Sequence, residues 1–316
     1  MTFFSLFHRT FSTFSKNAAI TTHASGKHLQ SCNIIEVGLR DGLQNEKRIL
    51  SLDQKYQYLQ HMFKVGLRHI EIGSFVSPKW VPQMASTKEL IRRIEPEVRS
   101  QLFLSALVPN MKGLEQAIES KVDEIVLFVS TTNTFNKANI NCTQNEAFER
   151  FKDIAQVAKS HGIKVRGSLS CCFECPYEGL VNIRSVLEAC DKYRQLNIDT
   201  IDIADTIGSA TPIATSFVLD QVIQHVFPVE KVSLHFHDTN NHAIDNIQVG
   251  LSKGVTSLQS SLGGAGGCPY SSKRVGNLNT VKLIEYLQHQ HIDFMTKFDL
   301  QAAKDAEIWI KSSLNE

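Results

Sequence analysis

His235 and His237 stand one residue apart in the stretch 234–239, LHFHDT. In a β-strand residues i and i+2 point to the same face, with Cα atoms about 6.5–7 Å apart, so both imidazoles can reach one cation. A bare His-x-His can also be a strand that merely carries two histidines, and the deciding test is whether further ligands arrive from elsewhere. Asp41 and Asn277 would add a carboxylate oxygen and an amide oxygen. Mixed nitrogen and oxygen ligands without thiolate suit Mg2+ or Mn2+, with positions left open for substrate oxygens. A cation held this way can grip a hydroxyl and a carboxylate of one substrate and ease loss of the hydroxyl proton.

Arg40 precedes Asp41, and if the segment is extended the two side chains point apart. A fixed guanidinium beside a cation is suited to an oxyanion that forms only as a carbon–carbon bond breaks. Arg40 has donors to spare for a structural pairing with Glu36 or Glu71 as well. The segment 263–270, GGAGGCPY, is glycine-dense around Cys268, and glycine permits close backbone approach, so it reads as a lid able to bring one thiol over the site. Cys172 and Cys175 form a Cys-x-x-Cys, but no second close pair follows to complete a tetrahedral zinc site.

Those residues need a frame that brings them together. Short apolar runs near 34–38, 69–73, 102–108, 124–130, 164–171, 200–204, 231–237 and 256–262 alternate with helical periodicity near 53–65, 84–94, 111–120, 144–161, 180–195, 211–226, 241–253 and 278–288. This alternation is that of a (β/α)8 TIM barrel spanning 33–290. A doubly wound open sheet would be marked by Gly-x-Gly-x-x-Gly after the first strand, which is missing here. In a barrel the catalytic groups sit at the carboxyl ends of the strands. Arg40, Asp41, Glu71, Asp205, His235, His237, Cys268 and Asn277 all fall at that mouth. A further helical segment within 291–316 carries Ile308, Trp309 and Leu314, which could pack on the barrel or on a second subunit.

The rest of the composition is unremarked by extremes: 316 residues, 21% charged, formal net charge +1. No basic stripe with interleaved aromatics marks a nucleic-acid surface, and no apolar stretch reaches the roughly 18–20 residues that span a bilayer. Seven cysteines, an odd count in a chain without a secretory signal, argue for reduced thiols. Residues 1–30 lack acid, are rich in Ser and Thr, and place Phe3, Phe7, Phe11 and Phe14 at helical spacing with Arg9 and Lys16 off that stripe. That is the composition of a mitochondrial transit peptide, which predicts a mitochondrial-matrix protein; an unstructured leader is the alternative.

Residues 36–46, EVGLRDGLQNE, resemble the first-strand signature of 3-hydroxy-3-methylglutaryl-CoA lyases. Arg-Asp-Gly and His-x-His are shared with isopropylmalate and homocitrate synthases. The segments 74–84 (SFVSPKWVPQM), 139–142 (NINC), 175–179 (CPYEG), 205–208 (DTIG), 266–270 (GGCPY) and 276–278 (GNL) resemble the lyases in particular. The resemblance covers about 33–290 and implies cleavage of 3-hydroxy-3-methylglutaryl-CoA to acetyl-CoA and acetoacetate. It implies that Asp41, His235, His237 and Asn277 bind the cation and that Arg40 stabilises the enolate. It also places Cys268 on the active-site loop and gives Glu71 and Asp205 support of the metal site and of proton transfer. His235 and Cys268 are the candidates for proton handling.

The expected partners are an acyl-CoA and a second copy of the chain in a homodimer, with neither nucleic acid nor membrane. Lys47, Arg48 and Lys79 are the candidates for CoA phosphates. The chain departs from the family pattern at Leu39, usually proline, at Asn240, Asn241 and His242, at Lys273 and Arg274, and at Gln259, where an aspartate is expected. These changes near the mouth keep two alternatives in view: a related acyl-CoA lyase or 2-oxoacid condensing synthase, and a relative that binds CoA esters without turnover.

Overall fold

The computed structural model describes residues 31–266 and 276–315. Residues 1–30, with the leader, and 267–275, with Cys268, Lys273 and Arg274, lie outside the described residues.

Eight parallel strands close into a barrel. They are β1 (Asn33–Glu36), β2 (His69–Ser74), β3 (Phe103–Leu107), β4 (Glu124–Ser130), β5 (Lys164–Ser170), β6 (Thr200–Asp205), β7 (Val232–Phe236) and β8 (Ser257–Ser260). Closure comes from β1 pairing with both β2 and β8, with Glu36 opposite Ser260, and β8 in turn sets Gln259 opposite His235 of β7. Every predicted strand is present within a few residues of its expected span. Alternation divides each strand between two environments. In β2, Ile70 and Ile72 join the apolar core shared with the helices, while Glu71 is fully buried among charged partners. The barrel interior is thus polar where many barrels are filled by branched aliphatics.

Local signals start and stop the helices. Ser51 and Gln54 form a reciprocal capping box before Leu52–Val65, and Gly66 ends that helix at φ +100°, with its position filled against the Lys297 carbonyl. Sequence periodicity missed the helix Asn133–Ile140 and the two-stranded hairpin of Glu174–Cys175 with Gly179–Leu180. Both lie at the mouth, where loop chemistry rather than periodicity decides the chain path.

The final helix, Leu300–Asn315, packs on the barrel, not away from it. Trp309 sits 5.0 Å from the His61 ring and 5.9 Å from that of Tyr58. Its buried stripe is Ala302, Ala303, Ala306 and Ile310; Ile308, expected to pack, is 69% exposed.

Candidate functional site

β1 stops at Glu36, and the chain turns through a π-helical loop, Gly38–Gly42, closed by Gly42 N donating to the Val37 carbonyl at 3.0 Å. That turn overrides the expectation that Arg40 and Asp41 point apart, because period-2 alternation holds only in extended chain. Arg40 instead donates to both Asp41 Oδ1 and Glu71 Oε1. Of the two structural partners considered for it, Glu71 is the one used. Glu36 is occupied elsewhere, accepting from the amides of Gly38 and Leu262 and from Thr280 Oγ1.

Asp41, His235 and His237 bring one ligand atom each to within 4.8 Å of one another. Each histidine presents Nε2 at 3.8 Å from Asp41 Oδ2, too far for a hydrogen bond and close enough to share a cation. His237 lies just past the end of β7 and pairs across a bridge with Asn277, which delivers that amide to the same place. Asn277 Nδ2 donates to Asp41 Oδ2 and to the Ala265 carbonyl, each at 2.9 Å. All four expected ligands therefore meet at one end of the barrel.

The electrostatics suit a cation. Burial opposes ionisation of Asp41, yet Arg40 foremost, with the two histidines, holds its pKa well below the usual carboxylate range. Burial pushes His235 down to about 4, so the ring is neutral and its nitrogen lone pair available near pH 7. One guanidinium, Arg40, is shared between two carboxylates, which leaves negative charge at the mouth. Among the described residues, His237 Nδ1 and Asn277 Oδ1 are buried with no hydrogen-bond partner, an arrangement that typically costs about 1–3 kcal/mol per group when nothing answers it. A divalent cation fits this donor set: two imidazoles, a carboxylate and an amide oxygen.

Glu71 and Asp205 sit behind the mouth. Both Glu71 oxygens are engaged, one by Arg40 and one by Arg166; burial would raise its pKa, but those two arginines hold it below the ordinary value. Glu71 thereby anchors Arg40 beside Asp41. Burial pushes Asp205 up to about 6 against the Ala210 and Ser209 amides that it accepts, and its carbonyl receives the His237 amide at 3.3 Å.

A cavity of about 1060 Å3 opens outward from Arg40, Asp41, His235 and His237. Of the residues expected to meet CoA, Lys47 lines it; Arg48 and Lys79 are not among its lining residues. Lys137 and Arg150 line it and escaped sequence reading, because nothing in a lone surface lysine or arginine marks it until the fold brings it to the rim. Asn240, Asn241 and His242 are absent from the lining: Asn241 makes the turn at φ +59°, and Asp238 Oδ1 accepts the Ala243 amide behind it. That departure from the family pattern therefore reshapes a turn beside the site and not the cavity wall.

The fold and this donor set define a (β/α)8 barrel with a candidate divalent-cation centre at its mouth. The HMGL-like family model matches residues 31–309, and the chain belongs to that family. It is 39% identical over 299 residues to the mitochondrial hydroxymethylglutaryl-CoA lyase of Homo sapiens, covering 94% of this chain and 90% of that protein. It is 38% identical over 273 residues to the 3-hydroxy-3-isohexenylglutaryl-CoA/hydroxymethylglutaryl-CoA lyase of Pseudomonas aeruginosa, covering 86% and 89%. The crystal structure of the HMG-CoA lyase from Brucella melitensis superposes with TM-score 0.86 at 38% identity, covering 91% of this chain and all of that one.

Proposed function

We propose that this chain is a lyase that cleaves 3-hydroxy-3-methylglutaryl-CoA to acetyl-CoA and acetoacetate, with Asp41, His235, His237 and Asn277 holding Mg2+ or Mn2+. One observation carries the reading. Beside a cavity lined by Arg40, Asp41, His235 and His237, a guanidinium locked by two carboxylates meets a nitrogen and oxygen donor set that, among the described residues, keeps buried atoms without partners. When bound, the cation would polarise the substrate hydroxyl and make its proton easier to lose.

The chain's own residues supply the rest. Asp205, which burial raises to about 6, is proposed to take the hydroxyl proton; the oxygen then forms the ketone of acetoacetate, the C2–C3 bond breaks, and its electron pair passes into the thioester as an enolate. Arg40 is set for that negative charge: its pKa is held high by Glu71 and Asp41 despite burial, and its geometry is fixed before substrate arrives. His235 offers the mouth only Nε2, because Nδ1 lies 2.9 Å from Gln259 Oε1. A single nitrogen cannot ligate and exchange protons at once, so His235 is assigned to the cation.

Protonation of the enolate carbon falls to Cys268. Its segment lies outside the described residues, but the flanking Gly266 packs so closely on the site that a Cβ there would fall 2.5 Å from the Asp41 carbonyl and 2.7 Å from Asn277 Nδ2. The chain between residues 266 and 276 thus starts and ends beside the ligands. Lys47, Lys137 and Arg150 are proposed to meet the CoA phosphates along the cavity rim.

The competing synthase reading is tested by product identity. Purified protein with cation should release acetoacetate from 3-hydroxy-3-methylglutaryl-CoA; free CoA from acetyl-CoA plus a 2-oxoacid, with no acetoacetate, would favour the synthase. A mitochondrial-matrix location is proposed on the acid-free, Phe-striped leader at 1–30, and imaging of a fluorescent fusion with and without those residues tests it. A homodimer is proposed on the exposed apolar pair Ile213 and Phe217, one helical turn apart, and light scattering reads it directly.

A further inference from the structure

Gln259 entered the mechanism only as the group beside His235 Nδ1, and it is a neutral side chain buried next to charged ones. It is 2% exposed, on β8 directly opposite His235. Its Oε1 lies 2.9 Å from His235 Nδ1, and its Nε2 donates to Ser233 Oγ at 3.3 Å. Asp202 also lies close enough for the Gln259 amide to stabilise its carboxylate. That carboxylate is tied to Arg166 at 2.7 Å, and Arg166 to Glu71 at 2.9 Å.

These contacts remove the usual freedom of an amide to flip. Turning Gln259 over would bring its carbonyl oxygen against the Asp202 carboxylate, exchanging attraction for repulsion, so the orientation with Oε1 toward the ring is the one held. With Oε1 facing the ring, Nδ1 must carry the proton, since an amide oxygen only accepts. A neutral imidazole protonated on Nδ1 has a bare Nε2, and that is the atom 3.8 Å from Asp41 Oδ2.

We infer that Gln259 is a positioning residue: it fixes the tautomer and ring orientation of His235, so that Nε2 faces the cation site as a lone pair before any cation arrives. The inference rests on the proposed cation site but concerns the protein's state without cation. An amide does this without placing another negative charge beside Asp202, which is already raised by burial. Outer partners of ligating histidines typically change metal affinity by about 10–100-fold.

The test uses full-length protein labelled with 15N-histidine. Long-range 1H–15N spectra of the cation-free protein, with His235 assigned by its loss in His235→Asn, should show Nδ1 protonated and Nε2 bare. Mn2+ affinity is then measured by electron paramagnetic resonance. Gln259→Leu, which removes the acceptor, should lose the fixed tautomer and weaken Mn2+ binding by tens of fold, in line with the typical range of about 10–100-fold. Gln259→Glu, which keeps an acceptor, should restore both to within a few-fold. Wild-type protein with the His235 proton on Nε2 would overturn the inference, even if Gln259→Leu does not fold. So would a folded Gln259→Leu with unchanged tautomer and Mn2+ affinity. Wild-type protein that binds no Mn2+ while showing the expected tautomer would count against the cation site instead and leave the positioning role standing.

Discussion

Two clusters of charge lie along the axis of the same barrel, and they are finished differently. In the interior, Arg166 is 1% exposed and meets Asp202 at 2.7 Å, Glu124 at 2.8 Å, Glu71 at 2.9 Å and Ser105 Oγ at 3.2 Å. Burial works against its charge, but Asp202, Glu124 and Glu71 together hold its pKa well above the ordinary value. At the mouth, His235 and His237 face Asp41 across gaps of 3.8 Å, and His237 Nδ1 and Asn277 Oδ1 have no hydrogen-bond partner among the described residues. Similar residue types on neighbouring strands therefore do two jobs. In the interior the guanidinium meets three carboxylates directly, although Asp202 Oδ1 has no hydrogen-bond partner among the described residues, and the charges hold the barrel; at the mouth the histidines stand off Asp41, an arrangement that suits the proposed cation. Glu71 joins the two, with one oxygen on Arg166 and the other on Arg40.

If that contrast is right, breaking the interior should unfold the protein and breaking the mouth should not. Arg166→Met leaves three buried carboxylates without their cation and is expected to lower stability by about 3–5 kcal/mol in urea denaturation; a loss near zero would dissolve the contrast. Arg40→Met, which leaves Glu71 still paired with Arg166, should cost less stability than Arg166→Met and retain Mn2+ binding while lowering kcat by about 10²–10³, the usual effect of losing one oxyanion donor. Unchanged kcat would remove Arg40 from the reaction.

Smaller effects sharpen the picture outward from the mouth. His237→Ala should weaken Mn2+ by at least the roughly 10–100-fold that even an outer partner contributes, with little change in melting temperature. Lys137→Ala should raise KM for the CoA thioester about fivefold, matching the ~1 kcal/mol of an exposed ion pair, and should leave KM for a pantetheine thioester, which lacks the nucleotide phosphates, unchanged.

The sequence makes the frame and the ligands readable for a local reason: strand alternation, helix caps and the His-x-His spacing are all written within a few residues. Asp41 and Asn277 also declare themselves, since each follows a strand whose end must lie at the mouth. What stays hidden depends on partners far apart in the chain. Arg166 meets Glu71 across 95 positions, and Gln259 meets His235 across 24. Gln259 is visible in the sequence as a departure from the family pattern, but only the register of β7 against β8 shows what it touches. The direction of Arg40 is misjudged from sequence because the strand ends four residues earlier than Arg40, and a π-helical turn replaces the alternation that the reading relies on.

The account stands on the donor set at the mouth being the reaction's cation site. Its most direct test is acetoacetate formation from 3-hydroxy-3-methylglutaryl-CoA by chelator-stripped protein as Mg2+ or Mn2+ is titrated back. The account predicts activity near background without cation and saturable recovery with it, with recovery in His237→Ala shifted to higher cation concentration. Full activity in the stripped protein, or recovery in His237→Ala at the wild-type cation concentration, would contradict it.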